Sequence, residues 1–182
     1  MKTYPLAYTE YVVYFQAERD YFECHEVMEE YWKEHPADEH SLAYVGLIQL
    51  AVGLYHQRRG NMAGAVKMLQ SAYKHLTDEH LEWLGLDSVE LRQSIAARIQ
   101  ALLEGAILYA DIDLPIKDPI LLEQCQDICQ SRGLSWNDPS DCSNEHLIHK
   151  HTLRDRSEVI EARKNQILLR QQRKGGSSNE LG

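Results

Sequence analysis

The sequence predicts an all-α protein: a compact bundle of about five helices followed by a C-terminal helical extension. Apolar residues recur every three or four positions, and short alternating runs typical of strands are nearly absent. Glycine and proline fall between the periodic segments rather than within them. With 182 residues, of which 43% are hydrophobic and 26% charged, the chain has an ordinary globular composition that supports a hydrophobic core.

Local signals set the helix boundaries. Pro36 ends the second helix, because proline disfavours helical backbone at the residue before it. Gly60 and Asn61 predict a C-terminal glycine followed at once by a new N-cap, so the third and fourth helices form a tight hairpin. Asp87, with Glu90 three residues later, forms a capping box that begins the fifth helix. The expected helices cover residues 4–17, 21–35, 41–59, 61–76, 87 onward, 121–131 and 143–174.

Proline spacing and charge suggest three regions. We expect a helical bundle domain over residues 1–112, a Pro-punctuated segment and basic C-terminal helix over 113–174, and a disordered tail over 175–182. Residues 1–149 carry a net charge of -13, whereas 150–182 carry +4. The acidic body disfavours nucleic acid and anionic membranes as partners, and the basic tail leaves binding to RNA or to a protein open.

The expected location is the cytoplasm. The N-terminus lacks the apolar core and cleavage site of a signal peptide. The most apolar stretch, residues 42–55, has 14 residues, whereas a membrane span needs about 20. Four cysteines in a chain without an export signal are typical of reduced thiols.

The strongest local motif is HEVMEEYW, in the second helix. His25, Glu29 and Trp32 follow each other at i, i+4 and i+7, which places them on one helical face. An amphipathic helix would normally place leucines at these positions. Three large side chains with polar groups therefore mark a candidate site, although buried polar residues also serve simply to satisfy one another.

A second motif lies in the third helix, where Gly46, Gln49, Gly53 and His56 have the spacing of a packing seam. Glycine inside a helix costs about 1 kcal/mol relative to alanine, so two on one seam suggest close approach of another helix. We expect Gln49 and His56 to face the second helix. Together with its motif they would form a polar pocket inside the bundle.

These two motifs resemble those of the all-helical domain-of-unknown-function family 309 of bacteria and archaea. The resemblance rests on His25-x-x-x-Glu29-x-x-Trp32, on the block GLIQLAVGLYHQRRGNMAGA and on the later Gly-Leu-Asp at 85–87, and it extends over residues 8–105. It implies a compact helical domain in which the His, Glu and Trp matter. It implies no reaction.

The residues themselves leave several functions open. His25, Glu29 and His56 are nitrogen and oxygen ligands of the kind that zinc, manganese or iron accepts, so a metal-dependent hydrolase is one expectation. The zincin pattern H-E-x-x-H is absent. Without a metal, Glu29 would orient a catalytic His25, or a small molecule would bind against Trp32, Gln49 and His56. The alternative is a non-catalytic interaction module with a structural seam; a homo-oligomer also fits.

Two further patterns suggest minor hypotheses. Cys125, Cys129, Cys142 and His146 have zinc-ligand chemistry, but their spacing is wider than that of common zinc knuckles, and the first two also fit a plain helical face. Arg19-x5-His25 resembles the catalytic spacing of helical HEPN ribonucleases, a two-residue pattern that also arises by chance.

Overall fold

The computed structural model describes residues 3–153, 161, 164, 165, 167 and 168. The prediction of an all-α bundle is confirmed. In the described part of the chain, the one β-type contact is an isolated antiparallel bridge between Leu86 and Ile116. The helices are α1 (Leu6–Val13), α2 (Tyr21–Glu34), α3 (Ser41–Arg58), α4 (Met62–His75), α5 (Asp78–Trp83), α6 (Ser88–Leu103), α7 (Pro119–Arg132), α8 (Glu145–Ile148) and α9 (Lys150–Leu153).

The chain divides into two compact units, Met1–His149 and Lys150–Gly182. The domain boundary expected after residue 112 therefore falls inside the first unit, which also contains α7. Most of the basic helix expected up to residue 174, and the tail over 175–182, lie outside the described residues. No helix in the described part of the chain has the length and apolar character needed to cross a membrane.

Side-chain caps begin several helices where the sequence predicts them. Asn61 accepts a hydrogen bond from the Gly64 amide at 3.0 Å, and Asp87 accepts one from the Glu90 amide at 3.0 Å. These bonds satisfy backbone donors that a helix leaves unpaired at its N-terminus. Helix α5 was not predicted; Thr77 caps it by accepting from the amide of His80.

The third helix lies at the centre of the bundle, where it packs most extensively against α4 and also against α2. Gly46 and Gly53 line the α3–α4 contact, and a Cβ at these positions would lie 2.7 Å from Leu76 Cγ and 2.8 Å from Leu69 Cγ. The glycines therefore permit the close approach that the sequence suggests. The seam faces α4, however, and not α2.

The first helix ends differently from the expected continuous α-helix. A π-helical turn, Tyr14–Glu18, follows α1, and Arg19 then adopts a left-handed conformation with φ 53°. This conformation is uncommon for a residue with a side chain. The reversal starts α2, whose N-cap Asp20 accepts a hydrogen bond from the Glu23 amide at 3.1 Å.

Candidate metal centre

The second helix separates its buried residues from its half-exposed polar residues. Tyr21, Cys24 and Met28 are fully buried in the core. His25 and Glu29 lie on the neighbouring face, where their side chains are 29% and 32% exposed. The imidazole of His25 and the carboxylate of Glu29 are thus accessible to solvent, while their backbone is held in the α2 helix.

The structure brings His25 and Glu29 together, as their spacing predicts. His25 Nε2 lies 3.1 Å from Glu29 Oε2, and His25 Nδ1 lies 3.1 Å from Glu26 Oε1. Ligand atoms of these three residues lie within 4.8 Å of one another, and no other described set of three histidine, cysteine or acidic side chains does so. Imidazole and carboxylates at such separations are a ligand set that zinc or manganese accepts.

The sequence disfavours Glu26 as a ligand, because a residue next to His25 points about 100° away around the helix. Its side chain is long enough to reach back to the ring of His25. Metal-bound histidines commonly donate their second ring N–H to a carboxylate, which fixes the tautomer. Glu26 lies at Nδ1 of His25 and Glu29 at Nε2. One carboxylate would thus accept the ring N–H while the other binds the metal beside the second ring nitrogen.

Lys33 modifies the charge of this cluster. Its ammonium nitrogen lies 2.8 Å from Glu29 Oε1, one helical turn further along α2. The hydrogen bond to Glu29 raises the pKa of Lys33, so the lysine stays protonated. A bound cation would have to share Glu29 with Lys33 or displace it.

Trp32 lies on the same helix but has a structural partner. Its indole N–H donates to the Ser41 hydroxyl at 2.8 Å, which ties α2 to the first residue of α3. Ser41 therefore uses its hydroxyl to accept from Trp32, and no side-chain hydrogen bond from His40 caps α3.

Gln49 and His56 do not join His25, which corrects the expected single pocket. Gln49 Oε1 lies 2.8 Å from His75 Nδ1 of α4, because the seam that carries Gln49 faces that helix. His56 Nδ1 accepts hydrogen bonds from Arg59 and Asn61 at 3.3 and 3.2 Å. Burial and the neighbouring Arg59 charge lower the pKa of His56. Since His56 is outside the cluster of three, the structure offers Glu26 in its place.

The cysteine zinc set, a minor hypothesis from the sequence, is not assembled among the described residues. Cys125 and Cys129 are buried on α7, whereas Cys142 is exposed, and no group of three ligands forms among them and His146. The Cys125 thiol donates weakly to the Thr9 carbonyl at 3.8 Å, and burial raises its pKa to about 12. Cys125 is thus a neutral thiol in the core. Its spacing of four residues from Cys129 places both thiols on the buried face of α7.

Arg19 is also structural, and the HEPN-like pairing with His25 is not formed. Arg19 is 2% exposed. Its guanidinium donates to the carbonyls of Asp138 and Ile112 at 2.8 and 3.3 Å and to Asp113 Oδ1 at 2.7 Å. These bonds fasten residues distant in the chain to the end of the π-helical turn.

A second polar cluster was missed by sequence reasoning. Asp111 Oδ1 accepts hydrogen bonds from the hydroxyls of Tyr21 and Tyr109 at 3.2 and 2.8 Å, and Asp111 Oδ2 accepts from the Ser140 amide at 2.7 Å. The guanidinium of Arg58 lies 4.6 Å above the Tyr21 ring. The available signal was the charged Arg58 at the end of an apolar helix, but its hydrogen-bond partners, Arg19 and Ser140, lie 39 and 82 residues away in the sequence.

Comparison with known proteins supports the family resemblance that the motifs of α2 and α3 suggest. The family model for a domain of unknown function (DUF309) matches residues 8–68. The chain is 48% identical over 169 residues to the uncharacterized protein YpuF of Bacillus subtilis (strain 168), covering 90% of this chain and 95% of that protein. No solved structure matches. The near full-length similarity and the family match together show that the chain belongs to the DUF309 family.

Proposed function

We propose that this protein binds a divalent metal ion on α2, with His25 Nε2 and Glu29 as ligands and Glu26 either as a third ligand or as the acceptor that orients the imidazole. The observation that carries this proposal is the convergence of their ligand atoms within 4.8 Å. Two or three protein ligands would leave coordination positions for water and substrate, as in catalytic metal sites. Hydrolysis by a metal-activated water is the reaction class that such an open site supports best.

Metal binding is tested by isothermal titration of zinc and of manganese into the full chain. We expect binding at one equivalent and a loss of at least about tenfold in affinity for His25→Ala and Glu29→Gln, because each variant removes a ligand. Lys33→Met should bind more tightly, since removing the ammonium frees Glu29 Oε1. Equal binding by the wild type and both ligand variants would overturn the proposal.

The matched controls lie on the same helix. Glu30→Gln changes the charge as Glu29→Gln does, but Glu30 is exposed and outside the cluster. His35→Ala removes an exposed histidine whose Nδ1 lies near the Tyr31 carbonyl at 2.8 Å. Both should keep the wild-type affinity. A similar loss in Glu29→Gln and Glu30→Gln would indicate nonspecific attraction to an acidic surface.

Hydrolysis is tested after loading, with p-nitrophenyl phosphate and p-nitrophenyl acetate as separate model esters. The expected result is metal-dependent turnover of one ester that Glu29→Gln loses and Glu30→Gln keeps. If the metal binds as expected and neither ester is turned over, the protein would be a metal-binding protein that hydrolyses neither of these two ester classes.

A non-catalytic interaction module is the second candidate. It is favoured by the structural pairing of Gln49 with His75 and of Trp32 with Ser41, because hydrogen-bonded partners of this kind stabilise helix packing without a ligand. In this case His25→Ala would change neither metal content nor stability, since His25 is half-exposed. The basic segment after residue 153 would then be the candidate contact for RNA or protein.

The cytoplasm is the proposed location. All four cysteines are free thiols, and three of them are buried. Free thiols are typical of proteins kept in a reducing compartment. Fractionation of cells expressing the untagged protein tests the location.

A further inference from the structure

Exposed apolar side chains are concentrated on α6 and in the segment directly after it. Among the described residues of the first unit, more than half of the large apolar side chains that are exposed lie there. Val89 and Leu103, at the two ends of α6, are 63% and 61% exposed, and Ile107 and Leu108 are 74% and 86% exposed. Apolar side chains scattered singly over a surface are normal, whereas a concentration of them marks an interaction site.

The outer face of α6 has the spacing of a helix-packing seam. Leu91, Ile95 and Leu102 are buried and attach the helix to the bundle. On the outer side, five exposed residues follow one another at intervals of four and three: Val89, Gln93, Ala96, Gln100 and Leu103. This spacing keeps the five residues, here called the α6 stripe, on one side of the helix, as in helices that pair along their length.

The α6 stripe is uncharged, although the body of the protein is strongly acidic. Residues 1–149 carry a net charge of -13, so two copies of the chain repel each other over most of their surfaces. Other helices expose charges to solvent, as α7 does with Glu123 and Asp127 and α4 with Lys67 and Lys74. A second copy can therefore contact the α6 stripe without removing charged groups of the stripe from water.

The α6 stripe is also self-complementary, because its order of side-chain types is the same in both directions. If two stripes cross antiparallel about a two-fold axis at Ala96, Val89 of each copy meets Leu103 of the other, and Gln93 likewise meets Gln100. The small side chain at the axis lets the two helices approach closely. Gln100 donates one N–H to the next turn of its own helix at 2.6 Å, which leaves its second N–H and its carbonyl oxygen for the facing glutamine.

We infer that the α6 stripe is the interface of a homodimer, in which the α6 helices of two copies of this chain cross antiparallel at Ala96. Contact through one surface patch on both copies is the form that a two-fold symmetric dimer requires. The antiparallel crossing also places the N-terminus of each helix beside the C-terminus of the other, where the helix dipoles attract. This interface is independent of the metal proposed on α2.

Sedimentation equilibrium of the untagged full chain tests the dimer. One helix pair is small beside standard interfaces of about 1,600 Å², so we expect a dissociation constant of about 1–100 µM. The measured mass should rise from that of one chain to that of two between about 1 µM and 1 mM protein. A mass of one chain over this whole range would overturn the inference.

The salt dependence identifies the kind of contact. An apolar seam between two acidic bodies should tighten as sodium chloride rises from about 0.05 to 0.5 M, because salt screens their repulsion. The basic segment after residue 149 could instead bind the acidic body of a second copy. Such a contact weakens with salt, and a dissociation constant that rises with salt would therefore overturn the assignment to α6.

Two exposed alanines provide a matched pair of variants. Ala96→Glu places two carboxylates at the two-fold axis, and we expect at least about tenfold weaker dimerisation. Ala63→Glu adds the same charge at an exposed position on α4 and should dimerise within about twofold of the wild type. Circular dichroism shows that both variants fold. Equal weakening in the two variants would indicate general repulsion and refute the interface.

Cysteine cross-linking tests the antiparallel crossing. Both variants are made with Cys142→Ser, because Cys142 is exposed and the other three cysteines are buried. Ala96→Cys should form a disulfide-linked dimer on mild oxidation with diamide, since residue 96 faces its own copy across closely packed helices. Val89→Cys should not, because the two copies of residue 89 would lie roughly 21 Å apart along the helices. Equally fast cross-linking through Val89→Cys would overturn the antiparallel arrangement.

Discussion

Replacing Gly53 with alanine tests the close approach of α3 and α4. The added Cβ would lie 2.8 Å from Leu69 Cγ and Cδ2 and 3.3 Å from the Leu69 backbone nitrogen. Carbon atoms in contact normally lie about 3.5–4.0 Å apart. Overpacking of this kind costs about 1–3 kcal/mol, while the helix gains about 1 kcal/mol from losing a glycine. The single variant should therefore be destabilised by roughly 0–2 kcal/mol.

The sharper prediction concerns the pair Gly53→Ala and Leu69→Ala. Leu69 is fully buried, so its truncation alone should cost about 2–5 kcal/mol. Truncation also removes the two carbons that a methyl group at position 53 would meet. The double variant should thus be more stable than the sum of the single effects by about 1–3 kcal/mol.

Urea unfolding followed by circular dichroism at 222 nm measures all four proteins of this cycle, with the slope m checked for constancy. Leu121→Ala serves as the control partner because Leu121 is buried in α7, and its effect should add to that of Gly53→Ala within about 0.5 kcal/mol. A coupling below about 0.5 kcal/mol for the Gly53–Leu69 pair would refute the proposed helix contact.

Three further predictions concern titration and thiol access. Burial alone would raise the pKa of Asp111, but hydrogen bonds from Ser140 outweigh it and hold this pKa below 3.8. The ionised carboxylate therefore stabilises the fold above pH 3.8, and this contribution is lost as the pH falls through the pKa of the folded state. Asp111→Asn should thus weaken the dependence of urea unfolding on acid pH. Burial and Arg59 hold the pKa of His56 below 6.5, so its contribution falls as the pH drops from 6.5, and His56→Gln should flatten the stability profile there; an unchanged profile would contradict this. Cys142 is exposed and the other thiols are buried, so Ellman's reagent should modify one thiol rapidly in the native protein, and a fast phase persisting in Cys142→Ser would argue against this packing.

Local signals predicted much of the fold because they act over a few residues. The caps at Asn61 and Asp87 depend on a side chain and an amide three positions away. The π-helical turn before Arg19 is different. Its reversal is accompanied by bonds from Arg19 to residues 112, 113 and 138, and no pattern near residue 19 reveals partners so far along the chain.

The candidate site was predicted within one helix but not between helices. His25 and Glu29 are one turn apart, so helical geometry alone brings them together. Predicting the orientation of Gln49 and His56 requires knowing which neighbouring helix packs against the seam of α3. Because α3 is buried on several sides, its sequence lacks one clear apolar face, and the rotation of the helix is set by packing of the glycines against α4.

We expect the bonds of Arg19 and Arg58 to set a lower limit on the length of chain that folds as a unit. The family match ends at residue 68, yet the partners of these arginines extend to Ser140. A fragment ending at residue 112 would retain both guanidiniums and lose Asp113, Asp138 and Ser140 as acceptors. Limited proteolysis should consequently leave a resistant core that extends past residue 140, and the sequence motifs of the family should not be treated as an autonomous module.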